Sequence, residues 1–184
     1  MSDDKNRSPT NSELKTSGVL TENGVRVTDK SSIDSLSQRG YGTAENDMFT
    51  LAFYESLYLL DKELLEVNNK KGQEVDFQAL LQAYEKTDKN AWVNYLVYRD
   101  LRSRGYVVRE GFGAGTDFRM YERGAYGKDT ASYMVLGTQE GTPLPIEDLT
   151  SALQRCQSQK KVLILAVMNR RGEIVYYSVS SLQF

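Results

Sequence analysis

The chain has 184 residues, 40% of them hydrophobic, and a formal net charge of −2. That is enough length for one domain or two small ones and enough apolar surface for a packed core, with no bulk charge that points to nucleic acid. It contains no histidine and a single cysteine, Cys156, which removes the commonest acid–base group and excludes an intrachain disulfide.

In chain order, residues 1–16 are polar and lack the apolar core of a signal peptide, so a disordered tail on a soluble, cytoplasmic protein is expected. No apolar run approaches the roughly 18 residues needed to cross a membrane. "GVLTENGVRVTD" reads as a hairpin around Asn23-Gly24. "SSIDSLSQRG" reads as a short helix capped by Ser31 or Ser32 and stopped by Gly40. The spacing of Phe49, Phe53, Leu57 and Leu60 predicts one long helix over "AENDMFTLAFYESLYLLDKE". A short strand "LLEV" and a helix "DFQALLQAYEK", capped by Asp76, complete an N-terminal α+β domain over residues 17–87.

The second domain, residues 88–184, opens with an amphipathic helix whose inner face carries Trp92, Tyr95, Leu96, Tyr98 or Arg99, and Leu101, ending at Gly105. Strands follow at "YVVRE", "DFRMYER" and "ASYMVLGT", then a helix at "PIEDLTSALQRCQSQ" with Pro145 near its first turn. The continuous run "VLILAVMN" reads as a central strand buried on both faces. A turn at Arg171-Gly172 leads to a last strand, "EIVYYSVSSLQF". The order α-β-β-β-α-β-β predicts an α/β (α+β) protein with a mixed central sheet flanked by helices. The two halves differ in charge: residues 1–89 carry 11 Lys/Arg against 16 Asp/Glu, residues 90–184 carry 12 against 9. A polyanionic partner would therefore prefer the second half.

The glycine loop "GFGAG" is no phosphate cradle. A dinucleotide loop runs from a strand into a helix, and a P-loop needs Gly-Lys-Ser/Thr. Here a strand follows instead, so the glycines are expected to make a hairpin connection with positive φ. In "TDFRMYERG", alternation puts Asp117, Arg119 and Tyr121 on one face and turns Phe118 and Met120 to the core. Lys160-Lys161 stands just before the apolar run.

The stretches "YLVYRDLRSRGYVVREGFGAGTDFRMYERG", "ASYMVLG" and "RCQSQKKVLILAVMNRRGEIVYYSV" closely resemble the archaeal tRNA-splicing endonuclease family, and "GYGTAENDMFTLAFYESLYLLDKELLEV" extends the resemblance into the first half. It covers roughly residues 17–184. The resemblance implies a small mixed N-terminal domain and a nuclease-like C-terminal domain. It implies cleavage of precursor tRNA at a bulge–helix–bulge without metal or other cofactor, leaving a 2′,3′-cyclic phosphate and a 5′-hydroxyl. The family's triad is tyrosine as general base, histidine as general acid and lysine as stabiliser of the transition-state charge. Tyr121 matches the tyrosine and Lys161 the lysine, with Lys160 the second choice. The histidine's place falls on Thr130, or on Ala131 if the alignment slips by one.

Three accounts of the missing acid stand side by side. The chain is a structural subunit that works as a homodimer or in a heterotetramer with a paralogous catalytic chain. Or it is a catalytic chain carrying a substitution. Or Tyr126, Lys128 or Asp129 supplies the proton. The first is preferred, because threonine is an improbable replacement to engineer. The turn "NRRGE" is basic where family members often carry acidic residues. Arg155, Lys160, Arg170 and Arg171 are the expected RNA contacts, the turn serving alternatively an acidic loop of a partner subunit. The last strand has no edge-blocking proline or lysine and is expected to carry an oligomer contact.

Overall fold

The structure, a computed structural model, describes residues 15–112 and 115–181. The expected tail therefore lies almost wholly outside the described residues. Two five-stranded mixed sheets and five helices are built in the sequence order of the chain. The first sheet has the order β3-β4-β2-β1-β5, with β1 (Thr16–Thr21), β2 (Gly24–Val27), β3 (Thr43–Glu45), β4 (Met48–Leu51) and β5 (Leu65–Asn68). Only β1 and β5 run parallel in it. Helices α1 (Lys30–Gln38), α2 (Phe53–Asp61) and α3 (Phe77–Glu85) belong to this half.

The second sheet has the order β10-β9-β8-β7-β6, with β6 (Val107–Glu110), β7 (Phe118–Tyr121), β8 (Tyr133–Gln139), β9 (Val162–Met168) and β10 (Ile174–Val179). Helix α4 (Ala91–Ser103) packs on one face against β6, β8 and β9, and α5 (Ile146–Ser158) packs on the other against β9. Strands β8 and β9 are parallel, so α5 is the crossover that such a pair requires. Between the sheets α2 packs on α4. Their seam is aromatic: Tyr54 lies 4.8 Å from Tyr98 and 5.0 Å, edge-on, from Phe118. One apolar core runs through both halves, and a smaller one (Met134, Ala152, Cys156, Leu163) lies beneath α5.

Most expected elements form, with informative corrections. The long helix is a hairpin followed by a shorter helix. Asn46 and Asp47 both take left-handed φ, 49° and 60°, as the two central residues of a type I′ turn require. Phe49 and Leu51 then alternate into the core; the four-residue step from Phe49 to Phe53 suits a helix equally well. The first hairpin turns at Glu22-Asn23, one residue earlier than expected, with Thr21 paired to Gly24. Asp29, not Ser31 or Ser32, caps α1 and accepts from Ser32 N at 2.7 Å. Asp76 caps α3 as expected, accepting from Ala79 N at 2.8 Å. Pro145, expected near the first turn of α5, is its N-cap.

Trp92 is exposed, its ring lying against Tyr95 at the edge of α4. The apolar strand β9 is covered on both faces but unevenly. Leu163 meets the small core and Ala166 and Met168 the large one, while Val162 is exposed and Leu165 and Val167 are half-buried. Strand β10 ends at Val179, and residues 182–184, expected to continue it, lie outside the described residues.

Candidate active site

Strand register decides which side chains meet. Arg119 pairs with Met134, and Met134 pairs with Leu163. Met134 and Leu163 contact α5, so this row faces α5. One step of side-chain alternation further along, Tyr121, Ser132 and Lys161 form the next row on the same face, across β7, the approach to β8 and the approach to β9. The ladder reaches this far, because Val162 N donates to Ser132 O at 3.0 Å. Two strand spacings separate the Tyr121 and Lys161 backbones, about 10 Å, a gap that a phenol and an ammonium can close upon a phosphate.

The end of α5 places the lysines. Lys161 N donates to Cys156 O at 2.8 Å and Lys160 N to Gln157 O at 3.0 Å, while Lys160 takes φ 55°. This is the left-handed closure that usually recruits glycine. Two cations at a helix C-terminus also complement its negative end. Lys160 points into solvent; Lys161 is half-buried and its Nζ donates to the Ala131 carbonyl. The ammonium is thus tied to the segment where the expected histidine is missing. Within that segment Thr130 is exposed, whereas Ala131 is 3% exposed and belongs to the interior. Cys156 lies beneath, its thiol pushed up by burial.

Tyr121 is half-buried, and its ring meets Tyr126 edge to face at 5.1 Å. Tyr126 in turn sits over Gly40, where a Cβ would run into both it and Val107. Gly40 therefore stops α1 and also lets the first half approach the site. The connection after Tyr121 is pinned: Tyr133 Oη donates to Glu122 Oε1 at 2.6 Å, and Asp129 N donates to Ala125 O at 2.9 Å. Lys128 and Asp129 are exposed on this connection. Glycines 111 and 115 make the β6–β7 connection, Gly115 with φ 91°, and Gly111 N donates to Asp117 O at 2.9 Å. A strand follows and the cradle reading stays excluded.

Asp117 departs from the alternation. It turns from Arg119 and Tyr121 toward α4, accepting from Gly137 N at 2.7 Å and from Asn94 Nδ2 at 3.4 Å, and burial raises its carboxyl above the ordinary range. Phe118 and Met120 are buried as expected. Arg155 reaches the β6–β7 loop, where it lies against Gly115. Arg170 and Arg171 do not join the row. They occupy the β9–β10 turn at the other end of the sheet, roughly 20 Å of strand away. Ser132 was not singled out from the sequence, though it stands two residues before the inward Met134, whereas Tyr126, one of the three candidate proton donors, comes to lie against Tyr121. Among the described residues no group of His, Cys, Asp or Glu side chains is arranged to hold a metal ion, and no helix is long and apolar enough to cross a membrane.

Comparison with known proteins covers nearly the whole of this architecture. A family model described as tRNA intron endonuclease, N-terminal domain, matches residues 16–81, and one described as tRNA intron endonuclease, catalytic C-terminal domain, matches residues 91–176. The tRNA-splicing endonuclease of Methanococcus vannielii is 33% identical over 164 residues, 89% of this chain and 93% of its own. That of Pyrococcus furiosus is 33% identical over 146 residues, 79% and 84% of the two chains. That of Pyrococcus horikoshii is 30% identical over 166 residues, 90% and 95%.

Proposed function

The chain belongs to the tRNA intron endonuclease family, and from that premise we propose that it is the structural subunit of a cytoplasmic tRNA-splicing endonuclease, paired with a histidine-bearing paralogous chain. The observation that carries the reading is the Tyr121–Ser132–Lys161 row with exposed Thr130 beside it, in a chain without histidine. The row keeps two of the three groups that the cleavage needs, and the histidine-bearing chain would complete the reaction at its own site: were this row to act, the ribose 2′-oxygen would attack the neighbouring phosphorus while its proton passed toward Tyr121. Lys161 balances the charge that gathers on the phosphoryl oxygens. The bond to the 5′-oxygen breaks, leaving a 2′,3′-cyclic phosphate. The departing oxygen needs a proton, and the threonine hydroxyl at position 130 is too weak an acid to supply it. No step calls for a metal. Exposed Thr130, and not interior Ala131, supports the first alignment. Lys160 and Arg155 flank this row and would meet the RNA backbone; Arg170 and Arg171 would meet a distant part of the substrate or a partner subunit.

A general acid typically contributes about 10²–10⁴-fold. The purified chain alone is therefore expected to bind a bulge–helix–bulge precursor and to cleave it at a rate lower by that order than a mixture with the histidine-bearing chain. Rapid cleavage by this chain alone overturns the structural-subunit reading and assigns the proton to Tyr126, Lys128 or Asp129. Absence of cleavage even in the mixture leaves a scaffolding or RNA-binding role without nuclease work.

A further inference from the structure

Where the two halves meet beside the row, three arginines stand together without an acid. Arg102, in the last turn of α4, lies over the Tyr41 ring with Cζ 4.0 Å from its centroid, and Arg39, the C-cap of α1, lies near the same ring at 5.9 Å. Arg102 also donates to Arg39 O at 3.1 Å and to Tyr106 O at 3.5 Å, and Arg123 lies over the Tyr106 ring at 5.1 Å. The line Arg39–Arg102–Arg123 thus crosses from the first half to the second. Its far end is close to the row: Arg123 follows Tyr121 by two residues, and Tyr106 precedes Val107, the partner of Tyr121 in β6. At its start, Gly40 lies against Tyr126, which meets Tyr121. Arg39 and Arg123 are exposed and Arg102 is half-buried. The ion pairs among the described residues are Lys15–Glu66, Arg104–Asp100 and Arg109–Glu55, and none engages these three arginines. Arg39 donates instead to Ser35 O and Oγ. Rings and neutral oxygens fix a guanidinium in place but leave its charge uncompensated, so three like charges repel one another until a polyanion meets them.

We propose that Arg39, Arg102 and Arg123 anchor the phosphate backbone of the RNA duplex that adjoins the scissile bond, so that the first half of the chain takes part in holding the substrate. The proposal rests on the substrate reading above and adds a surface separate from Arg155 and Lys160 at the α5 side and from Arg170 and Arg171 at the far turn. A duplex presents a continuous row of charges, so RNA seated at Tyr121 continues onto Arg123 and across the seam. Contacts of this kind position a duplex and carry no sequence information. An acidic protein segment would match the charge, but it would not account for a line that begins beside Tyr121.

The test uses the full chain, a bulge–helix–bulge precursor and two fully paired RNA duplexes of unrelated sequence, with affinity followed by fluorescence anisotropy between about 50 and 200 mM KCl. Arg102 is left in place, because its hydrogen bonds join the two halves. Arg39→Gln with Arg123→Gln should weaken all the probes alike, on the order of 10- to 100-fold at the low salt, and lower the salt slope by about 2, so that the deficit shrinks about 10-fold across the range. Arg123→Gln alone should lower the slope by about 1, which decides the matter if the double variant fails to fold. Arg39→Lys with Arg123→Lys should keep the wild-type slope. Lys70→Gln with Lys71→Gln removes the same charge from the exposed loop after β5 and should change affinity by no more than about 2-fold. Arginine variants that keep wild-type affinity and slope overturn the anchor and leave the proposed function standing. An equal loss in the lysine variant assigns the effect to net charge and overturns it too. A loss confined to one paired duplex means that bases are read, which also overturns it. A change of mass in light scattering, with RNA binding unaltered, assigns the arginines to a protein contact and overturns it as well. A slope that depends on the two arginines, in a chain whose mixture with the histidine-bearing chain leaves the precursor uncleaved, retains the anchor and overturns the nuclease reading.

Discussion

Arg109→Met tests how the two halves are held in the geometry the site needs. Arg109, 12% exposed in β6, donates to Glu55 Oε1 at 3.4 Å, to Gly40 O at 3.1 Å and to Thr43 Oγ1 at 3.1 Å, all in the first half. Glu55, 4% exposed in α2, also accepts from Ala52 N at 2.9 Å and Gly42 N at 3.1 Å. Removing one partner of a buried ion pair costs about 3–5 kcal/mol. Glu55 keeps its two N–H donors, so the lower end, about 3 kcal/mol, is expected near neutral pH, a fall in Tm of roughly 6–12 °C.

The pH dependence fixes the cause. Burial raises the Glu55 carboxyl above its ordinary value, and Arg109 opposes that. Without Arg109 the folded-state value rises further above the unfolded one. The folded state then binds more protons between the two values, so stability is complete below the unfolded value and is lost as pH rises through the folded one. Urea unfolding followed by circular dichroism should show a deficit relative to wild type that is large at about pH 7.5 and much smaller at about pH 5. Adding Glu55→Gln should recover on the order of 1–2 kcal/mol, since the uncompensated carboxylate is gone. Equal deficits at both pH values, or a double variant as unstable as Arg109→Met, refutes the argument that a stranded buried charge is the cost.

Three further outcomes are expected. Thr130→His should bring chelator-resistant cleavage with a cyclic phosphate end to the isolated chain, whereas Ala131→His, facing the interior, should cost about 1–3 kcal/mol in thermal unfolding and give no cleavage; activity in the second and not the first places the family histidine one residue later. On the open edge strand β10, Val175 and Tyr177 are exposed, and Val175→Lys with Tyr177→Lys should lower the mass measured by light scattering; an unchanged mass puts any subunit contact elsewhere. Asp47→Gly, which relieves a left-handed φ of 60° in a type I′ turn, should raise stability by about 0.4–1 kcal/mol in urea, and a loss would mean that the Asp47 side chain has a structural role of its own.

Signals that act between near neighbours were legible in the sequence. The Asp76 cap, the Gly105 stop and the inward Phe118 and Met120 all follow from sterics and hydrogen bonds within a few residues. The absent histidine is likewise a property of the sequence alone. The same local reasoning failed at residues 44–51. Phe49 and Phe53 satisfy a helical spacing, while pairing with β2 satisfies a strand, and the partner strand decides. Asp117 kept to its strand alternation on paper but turned inward, because Asn94 of α4 and Gly137 of β8 offer hydrogen bonds that no neighbour in sequence could announce. Tyr121 and Lys161 could be named from their motifs, but their distance apart could not. It depends on β8 lying between β7 and β9 and on one register that sends Met134 and Leu163 toward α5. A slip of one residue would turn those apolar side chains to water and Tyr121 to the opposite face, so the burial of two cores on two sides of one sheet, settled only in the tertiary structure, is what assembles the row.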